Sequence, residues 1–351
     1  MPASLIELER AARKRLDPAV YDFFAGGADG EHTLRANEAA FARIGLVPRV
    51  LTGAGQPQLE VELLGSRASM PVLIAPTAFH RLADPDGERA TARAAAAAGT
   101  VMIASMAATV AIEEIAAAAP GSWFQLYIQP DLGFTESVVR RAEAAGCAAF
   151  VATVDSPAFG NRERDLRRGF ANLPPGLCCE NMRERPGAPP RRFQFVPGLS
   201  WEHVEWLRAT TALPLALKGI VHPQDARLAV SLGVDALVVS NHGGRQLDTV
   251  PATIDLLPAI ADAVAGDVPL LLDGGVRRGT DVVKACALGA TAVAVGRPVL
   301  WGLAAGGQQG VLAVLELLRA ELRRTLILCG LGASADAGRE LLRPAHEEQP
   351  C

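Results

Sequence analysis

The sequence predicts an α/β fold, a (β/α)8 TIM barrel, on three observations. Eight short apolar runs alternate with Ala- and Leu-rich segments of helical length. The runs are apolar almost throughout, as strands buried on both faces are, and do not alternate with polar residues. Their polar residues collect at the C-terminal ends, which in a barrel share the face where sites are built. Eight is also the number of strands that closes. A doubly wound open sheet is the alternative. It is disfavoured because no GxGxxG follows an early strand and because the polar residues gather at the strand ends.

In chain order, residues 1–70 precede the alternation. They are expected to form an N-terminal extension with one helix over about 4–16 and a short hairpin near 46–64. The runs then follow as PVLIAPTA (71–78), TVMIAS (100–105), WFQLYI (123–128) and AAFVATVD (148–155). The second four are PLALKG (214–219), ALVVSN (236–241), PLLLDGG (269–275) and AVAVGR (292–297). Gly99, Gly146, Gly233 and Gly289 stand just before the next run, where a helix ending in the left-handed region favours glycine. Residues 94–112 carry no charge over 19 positions and so raise a membrane span. Gly99, Thr100, Ser105 and Thr109 inside them read instead as helix end, turn and buried strand. The 156–200 connection is rich in Pro, Gly and Arg. It reads as an active-site lid and not a plain linker, because it leaves from the active face. The whole chain, 1–351, is expected to be one barrel domain.

Composition narrows the class. Half the residues are apolar and 21% are charged, enough for a full core, and 34 glycines with 24 prolines fall short of low complexity. A formal net charge of −4 offers no electrostatic pull on nucleic acid or an anionic membrane, so neither is expected as a partner. The cysteines at 147, 178, 179, 286, 329 and 351 show no metal-ligand spacing, and no metal is expected. The opening MPASLIELERAARKRLD has no signal-peptide pattern, and the expected location is cytoplasmic.

Several residues at the run ends carry chemistry. Lys14, Lys218 and Lys284 are the only lysines, and Lys218 lies inside an apolar strand. An unpaired ammonium there is costly, so it either snorkels to solvent or pairs with an anion in the barrel mouth. His242, in SNHGGRQLD, is flanked by glycines that let a ligand approach, which suits a general base as well as a structural histidine. Arg245 offers a planar fork for a carboxylate. Asp155 can orient an imidazole or cap a helix. DGGVRRG (273–279) and VGRP (295–298) close the seventh and eighth strands, where barrels bind phosphate, with Arg277 and Arg297 adding charge. Ser105, Gln125, Thr153 and Lys218 are placed to line the rest of such a ligand. Tyr127 emerges near the mouth, and spacing alone does not separate Arg162 from its neighbouring arginines.

SNHGGRQLD, LDGGVRRGTDVVKACALGA and VGRP, with FQLY, TVDSP and LALKG, resemble the FMN-dependent 2-hydroxy acid oxidases and dehydrogenases. That family includes glycolate oxidase, lactate oxidase, mandelate dehydrogenase and hydroxymandelate oxidase. The resemblance runs from YDFFAGGADGEHTL (21–34) to the C-terminal helix. It implies FMN as cofactor, a small 2-hydroxy acid and oxygen as reactants, a 2-oxo acid and hydrogen peroxide as products, and a homo-oligomer, usually a tetramer. By resemblance His242 is the base, bonded to Asp155. Arg245 and Arg162 hold the substrate carboxylate, and Tyr127 bonds the substrate oxygen. Lys218 lies beside the flavin N1–C2=O edge, and Ser105, Gln125, Thr153 and Ser240 contact the flavin ring. The Pro76, Thr77 and Ala78 backbone passes near N5, and Asp273, Gly275, Arg277, Gly296 and Arg297 form the ribityl and phosphate site.

Two departures from the family pattern bear on substrate. Phe23 stands where many members carry a carboxylate-binding tyrosine, and Ala107 where glycolate oxidases have a large aromatic. Both make the pocket larger or less polar and point to a bulky or aromatic acid such as mandelate or 4-hydroxymandelate. Ala78, where some dehydrogenase members have glycine, leans to an oxidase over a dehydrogenase that passes electrons to a quinone or protein. Inosine-monophosphate dehydrogenase and type 2 isopentenyl diphosphate isomerase share phosphate loops but not the His242/Arg245 pair. A non-catalytic flavin-binding protein would have no need for His242, Asp155, Arg245, Arg162 and Tyr127 together.

Overall fold

The computed structural model of the protein describes residues 3–345; Cys351 lies outside them. The eight runs form eight parallel strands: β1 (Val72–Ile74), β2 (Ile103–Ser105), β3 (Trp123–Leu126), β4 (Phe150–Thr153), β5 (Leu215–Ile220), β6 (Ala236–Val239), β7 (Leu270–Asp273) and β8 (Ala292–Val295). Each pairs with its sequence neighbour, and β8 returns to β1 through Val293–Val72, Ala294–Leu73 and Val295–Ile74. The seam between β1 and β2 is thinner. It consists of one bridge between Ile74 and Met102, with Ile74 N donating to Val101 O at 3.0 Å. Above that seam Glu88, fully buried, accepts from His80 N (3.0 Å), Thr109 N (2.9 Å) and Thr109 Oγ1 (2.7 Å), tying the two following loops together.

Successive residues of each strand divide between two cores, as a period of two requires. Val72, Ile74, Phe124, Phe150, Leu217 and Val239 face the surrounding helices. Leu73, Ile103, Trp123, Val151, Ala216, Val238 and Leu271 fill the barrel interior. One step further along the interior face stand Ser105, Gln125, Thr153, Lys218, Ser240 and Asp273, all buried. The interior is therefore apolar below and polar over β2 to β7 in its top layer, with Ala75 and Ala294 at the β1 and β8 side.

The first 70 residues differ from expectation. Three helices form where one was expected, Leu5–Arg15, Pro18–Ala25 and His32–Ala42. The hairpin lies at Val61–Leu63 and Ser66–Ala68, not near 46–64, because Leu64 and Gly65 (φ 50° and 73°) make the two-residue turn. Its Leu63 joins the barrel-interior cluster and Ser66 Oγ accepts from Trp123 Nε1 at 3.0 Å, so it plugs the lower end of the barrel. Leu46, at the edge of the expected hairpin, belongs instead to Ile44–Leu46, which pairs antiparallel with Leu342–Pro344.

Elsewhere the expected punctuation holds. Gly99, Gly146, Gly233 and Gly289 all have positive φ at helix ends. Residues 94–112 supply a helix end, the bridge and β2, all folded against the barrel. One helix, Arg297–Cys329, is long and apolar enough to cross a membrane by length and composition. It is broken at Gly306 and Gly307 and packs on the first helix and on Gly87–Ala98. The bend brings Gly302 and Gly310 into backbone contact, where a Cβ on Gly310 would lie 1.9 Å from Gly302 O.

That crossing has no room for a methyl group. Gly310→Ala is expected to lower stability by about 3 kcal/mol or more, above the usual overpacking cost because the clash is with backbone. An unchanged Tm would contradict the close crossing.

Candidate active site

The polar top layer underlies a cavity of about 830 Å³, within the size range of small-molecule sites. Lys218 does not snorkel to solvent. Its Nζ lies 3.1 Å from Asp273 Oδ2 and donates to Ser240 Oγ at 2.9 Å. Lys218, Asp273 and Ser105 reach the cavity wall. Gln125, Thr153 and Ser240 stand beside them in the same polar layer, hydrogen-bonded to one another or to its cavity-lining members. Ser105 Oγ donates to Gln125 Oε1 (3.0 Å), and Gln125 Nε2 donates to Thr153 Oγ1 (3.0 Å). Asp273 Oδ1 is buried without a partner, an acceptor left for a ligand hydroxyl.

After β6 the backbone passes through three left-handed residues, His242 (φ 57°), Gly243 (63°) and Gly244 (73°). A histidine in that region is strained, so its surroundings must hold it there. Asn241 and Asn37 exchange amide hydrogen bonds at 2.9 and 2.8 Å, and Ala28 N donates to Gly244 O at 2.8 Å. Asp248 accepts from His32 N and Thr33 N at 3.1 and 2.8 Å. The N-terminal extension thus clamps the loop that presents His242. Gly244 must be glycine, since a Cβ there would meet Leu34 N at 2.6 Å.

His242 Nδ1 lies 2.9 Å from Asp155 Oδ1. An ionised carboxylate only accepts, so Nδ1 carries the proton and Nε2 presents its lone pair to the cavity, 3.4 Å from Tyr127 Oη. Burial pushes the imidazole below its ordinary value; Asp155 opposes this, but Lys218 and Arg162 reinforce it. Burial pushes the Asp155 carboxyl up, and His242 with Lys218 outweighs it, leaving the group ionised. Gly219 permits the pairing, because a Cβ there would lie 2.6 Å from Asp155 Cβ. Burial pushes the Tyr127 phenol up, so it remains a donor.

Arg162, Arg192, Lys218, Arg245, Arg277 and Arg297 all line this cavity, against Asp165 and Asp273. Arg245 Nη1 donates to Phe23 O (2.6 Å) and Gly26 O (3.1 Å), with its guanidinium over the Phe23 ring. Arg297 donates to the carbonyls of Phe24, Gly26 and Gly243. Arg162 Nε is buried without a partner. Burial lowers all three arginines. Arg162 and Arg297 push Arg245 down further, while Arg297 itself is brought to about 10 by burial and Arg277. Carbonyls satisfy hydrogen bonds without cancelling charge, so this wall is built for anions.

The two glycine loops do different work. Arg277 N and Arg278 N both donate to Asp281 Oδ2 at 2.9 Å, and Arg277 Nη2 pairs with Glu38 at 2.6 Å. The N-terminus of the helix Gly279–Ala287 is therefore capped from within, and Arg277 brings a largely committed side chain. The helix that starts at Arg297 has only Gly296 as its N-cap and opens on the cavity, so an anion is received mainly there. Gly275 lets the seventh loop lie against the N-terminal extension, since a Cβ there would stand 1.9 Å from Asn37 O.

The remaining wall is aromatic. Pro76, Thr77, Ala78 and Ala107 lie along it, with the Thr77 hydroxyl 2.7 Å from His80 Nε2. Phe23 packs with Phe79 and Phe170, at 5.4 and 4.7 Å between ring centroids. From the 156–200 segment, Phe193 and Phe195 set their rings against Tyr127 at 5.1 and 5.6 Å. Residues of that segment line the cavity, and it carries a short helix at Glu163–Arg168. Sequence reasoning missed Asn37, Asn241, Gln246 and the lid phenylalanines. Asn241 and Gln246 sit inside SNHGGRQLD and could have been found there; the phenylalanines have no periodic signal.

The chain matches the family described as FMN-dependent dehydrogenase over residues 12–344. It is 45% identical to glycolate oxidase 1 of Oryza sativa subsp. indica, covering 96% of this chain and 94% of that one. It is 47% identical to an L-lactate oxidase of a Nostoc species, covering 97% and 98%. A solved mandelate oxidase with benzoyl-formic acid superposes at a TM-score of 0.91, with 46% identity over 98% of this chain and 98% of that one.

A base held below the ordinary imidazole value of 6.5 is already neutral at pH 7. The acidic limb of kcat/KM, which reports protonation of His242, is expected below pH 6.5, with no further gain from neutral pH upward. Asp155→Asn removes the anion that favours the imidazolium. It should move that limb lower still and cut kcat by about 10²- to 10⁴-fold. An acidic limb above pH 7 in the parent protein would contradict the assignment.

Proposed function

The chain belongs to the FMN-dependent dehydrogenase family, and on that premise we propose that it is an oxidase of aryl 2-hydroxy acids such as mandelate. The overall reaction converts a 2-hydroxy acid and dioxygen into a 2-oxo acid and hydrogen peroxide. The observation that carries the substrate class is that Ala107 and Phe23 line the same cavity, with Phe79 and Phe170 packed on Phe23 and Phe193 and Phe195 on Tyr127. A short polar acid would leave that wall unfilled, whereas a phenyl ring buries apolar area against it.

The residues fit FMN. The helix N-terminus at Gly296 and Arg297, with Arg277, would hold its phosphate. The unpartnered Asp273 Oδ1 would take a ribityl hydroxyl, and Lys218 would lie against the ring. When bound, FMN supplies the two-electron acceptor. Arg162 and Arg245 hold the substrate carboxylate, which fixes the α-carbon and prepays orientation entropy. Tyr127 donates to the substrate oxygen. His242 Nε2 takes the proton that leaves the substrate, and Asp155 stabilises the resulting imidazolium. Phe193 and Phe195 exclude water from the far side of Tyr127.

We also infer a homo-oligomer, with a tetramer as the expected form, in a reducing, cytoplasmic setting. Val47, Val50, Leu51, Ile327 and Leu328 are exposed apolar residues near one another at the 47–55 loop and the C-terminal helix, which supports self-association. The described cysteines are all unpaired. A light-scattering mass equal to one chain would overturn the oligomer.

Anaerobic mixing of the FMN-loaded protein with 2-hydroxy acids tests the activity directly. Mandelate is expected to bleach the flavin and air to restore it; bleaching without recovery would assign another acceptor. Turnover of glycolate with inertness to mandelates would overturn the substrate class. Ala107→Trp is expected to raise KM for mandelate about 10- to 200-fold while sparing glycolate.

A further inference from the structure

Arg162 presents a puzzle of placement. Its Nε has no partner, and no carboxylate lies within salt-bridge distance of its guanidinium among the described residues. Its guanidinium lies over the Phe159 ring of the same segment, 5.8 Å from the centroid. Its backbone belongs to the segment that leaves β4 at Asp155, so whatever holds that segment also places the arginine.

One side chain does most of this. Gln246, four residues after His242, spends its whole amide on the segment. Its Nε2 donates to Asp155 O at 3.1 Å and to Ala158 O at 2.9 Å, and its Oε1 accepts from Gly160 N at 3.1 Å. Both donor hydrogens and the acceptor are used. The contact is close: a Cβ on Gly160 would lie 2.2 Å from Arg245 O, so only glycine lets the segment lie against the 245–246 backbone. Just beyond, Asn161 O accepts from Asp29 N and Asn161 Nδ2 donates to Asp29 Oδ1, both at 2.8 Å. The residue before Arg162 is thus held from the other side.

We propose that Gln246 is a positioning residue, clasping the 155–160 segment to the loop that carries His242 and Arg245 so that Arg162 completes the carboxylate-binding pair. The inference rests on the 2-hydroxy acid reading for the identity of that carboxylate. The two ends of the segment depend on the clasp unequally. Asp155 is also held by His242 and by Ser156 Oγ at 3.0 Å. Around Arg162 the backbone is tied to the N-terminal extension, Asn161 at Asp29 and the Glu163–Arg168 helix at Asp22 and Glu31. Its side chain, however, rests on the Phe159 ring, which stands between the clasped Ala158 and Gly160. Loss of the clasp therefore weakens carboxylate binding more than proton transfer.

Gln246→Leu removes all three hydrogen bonds at similar volume. In the FMN-loaded protein it is expected to raise KM for mandelate, and the dissociation constant of benzoylformate read from the flavin spectrum, by tenfold or more, with kcat within about threefold. Adding Arg162→Met should cost no more than Arg162→Met alone, since both changes act on one contact. Gln246→Glu tests the same clasp should the leucine variant fold poorly. It keeps an acceptor for Gly160 N but turns an anion toward two carbonyls, and the same rise in KM is expected. A fall in kcat at unchanged KM, or losses that multiply in the double variant, would overturn the proposal. Trypsin nicking at the arginines of 162–168 provides a readout without substrate. It should quicken in Gln246→Leu, and an unchanged rate overturns the clasp. Inertness of the parent protein toward every 2-hydroxy acid would instead sink the functional reading, leaving the nicking result to judge the clasp alone.

Discussion

Three buried arginines around one cavity, none neutralised by a carboxylate, set the terms for the rest of this structure. Arg162, Arg245 and Arg297 repel one another, and burial removes the water that would screen them. The fold holds Arg245 and Arg297 with carbonyl oxygens, which accept hydrogen bonds without cancelling charge. Those carbonyls come from Phe23, Phe24 and Gly26 in the N-terminal extension and from Gly243 in the base loop. This explains why a barrel that closes without its first 70 residues still carries them across its mouth. The extension brings the acceptors, and its Asn37 and Ala28 fix the strained loop at His242. The site is assembled from three distant stretches because no one of them could stabilise that much positive charge.

The barrel was legible because its strands are buried on both faces, which makes each an unbroken apolar run ending in polar residues. The interior position of Lys218 follows from the same period of two, since Ala216 before it points inward. The extension was harder to read. Its second helix, capped by Asp17 and opened by Pro18, is only eight residues long, and its third begins at a left-handed Glu31 with no capping side chain, so its usual start signal is missing. The hairpin turn falls at Leu64 and Gly65, at the far end of the expected span, where a leucine in the left-handed region gives no turn signal.

At the site, the period of two located the strand-end residues: Ser105, Gln125, Thr153, Lys218, Ser240 and Asp273 share one polar layer. Their hydrogen-bond order was not legible. Ser105 bonds Gln125, Gln125 bonds Thr153 and Lys218 bonds Ser240, pairings set by which strands are neighbours in the barrel. A sequence shows which end of a strand a residue occupies, and only packing decides which side chain it meets. Arg277 likewise lines the cavity while its N–H is taken by Asp281 four residues later.

The thin seam between β1 and β2 has a consequence for how the pocket can change over time. Every other junction of the barrel is a ladder of several paired residues, so the loops above it inherit the register of their strands. At this seam one bridge carries the backbone, and the Glu88 carboxylate joins the loops above. Ala107 hangs from one of those loops, beside the wall that sets which acids fit. A carboxylate with three donors tolerates loop remodelling that a ladder would resist, so the size of residue 107 can drift while the barrel beneath keeps its register. The architecture thus leaves its evolutionary freedom where substrate preference is written and withholds it where the proton is moved.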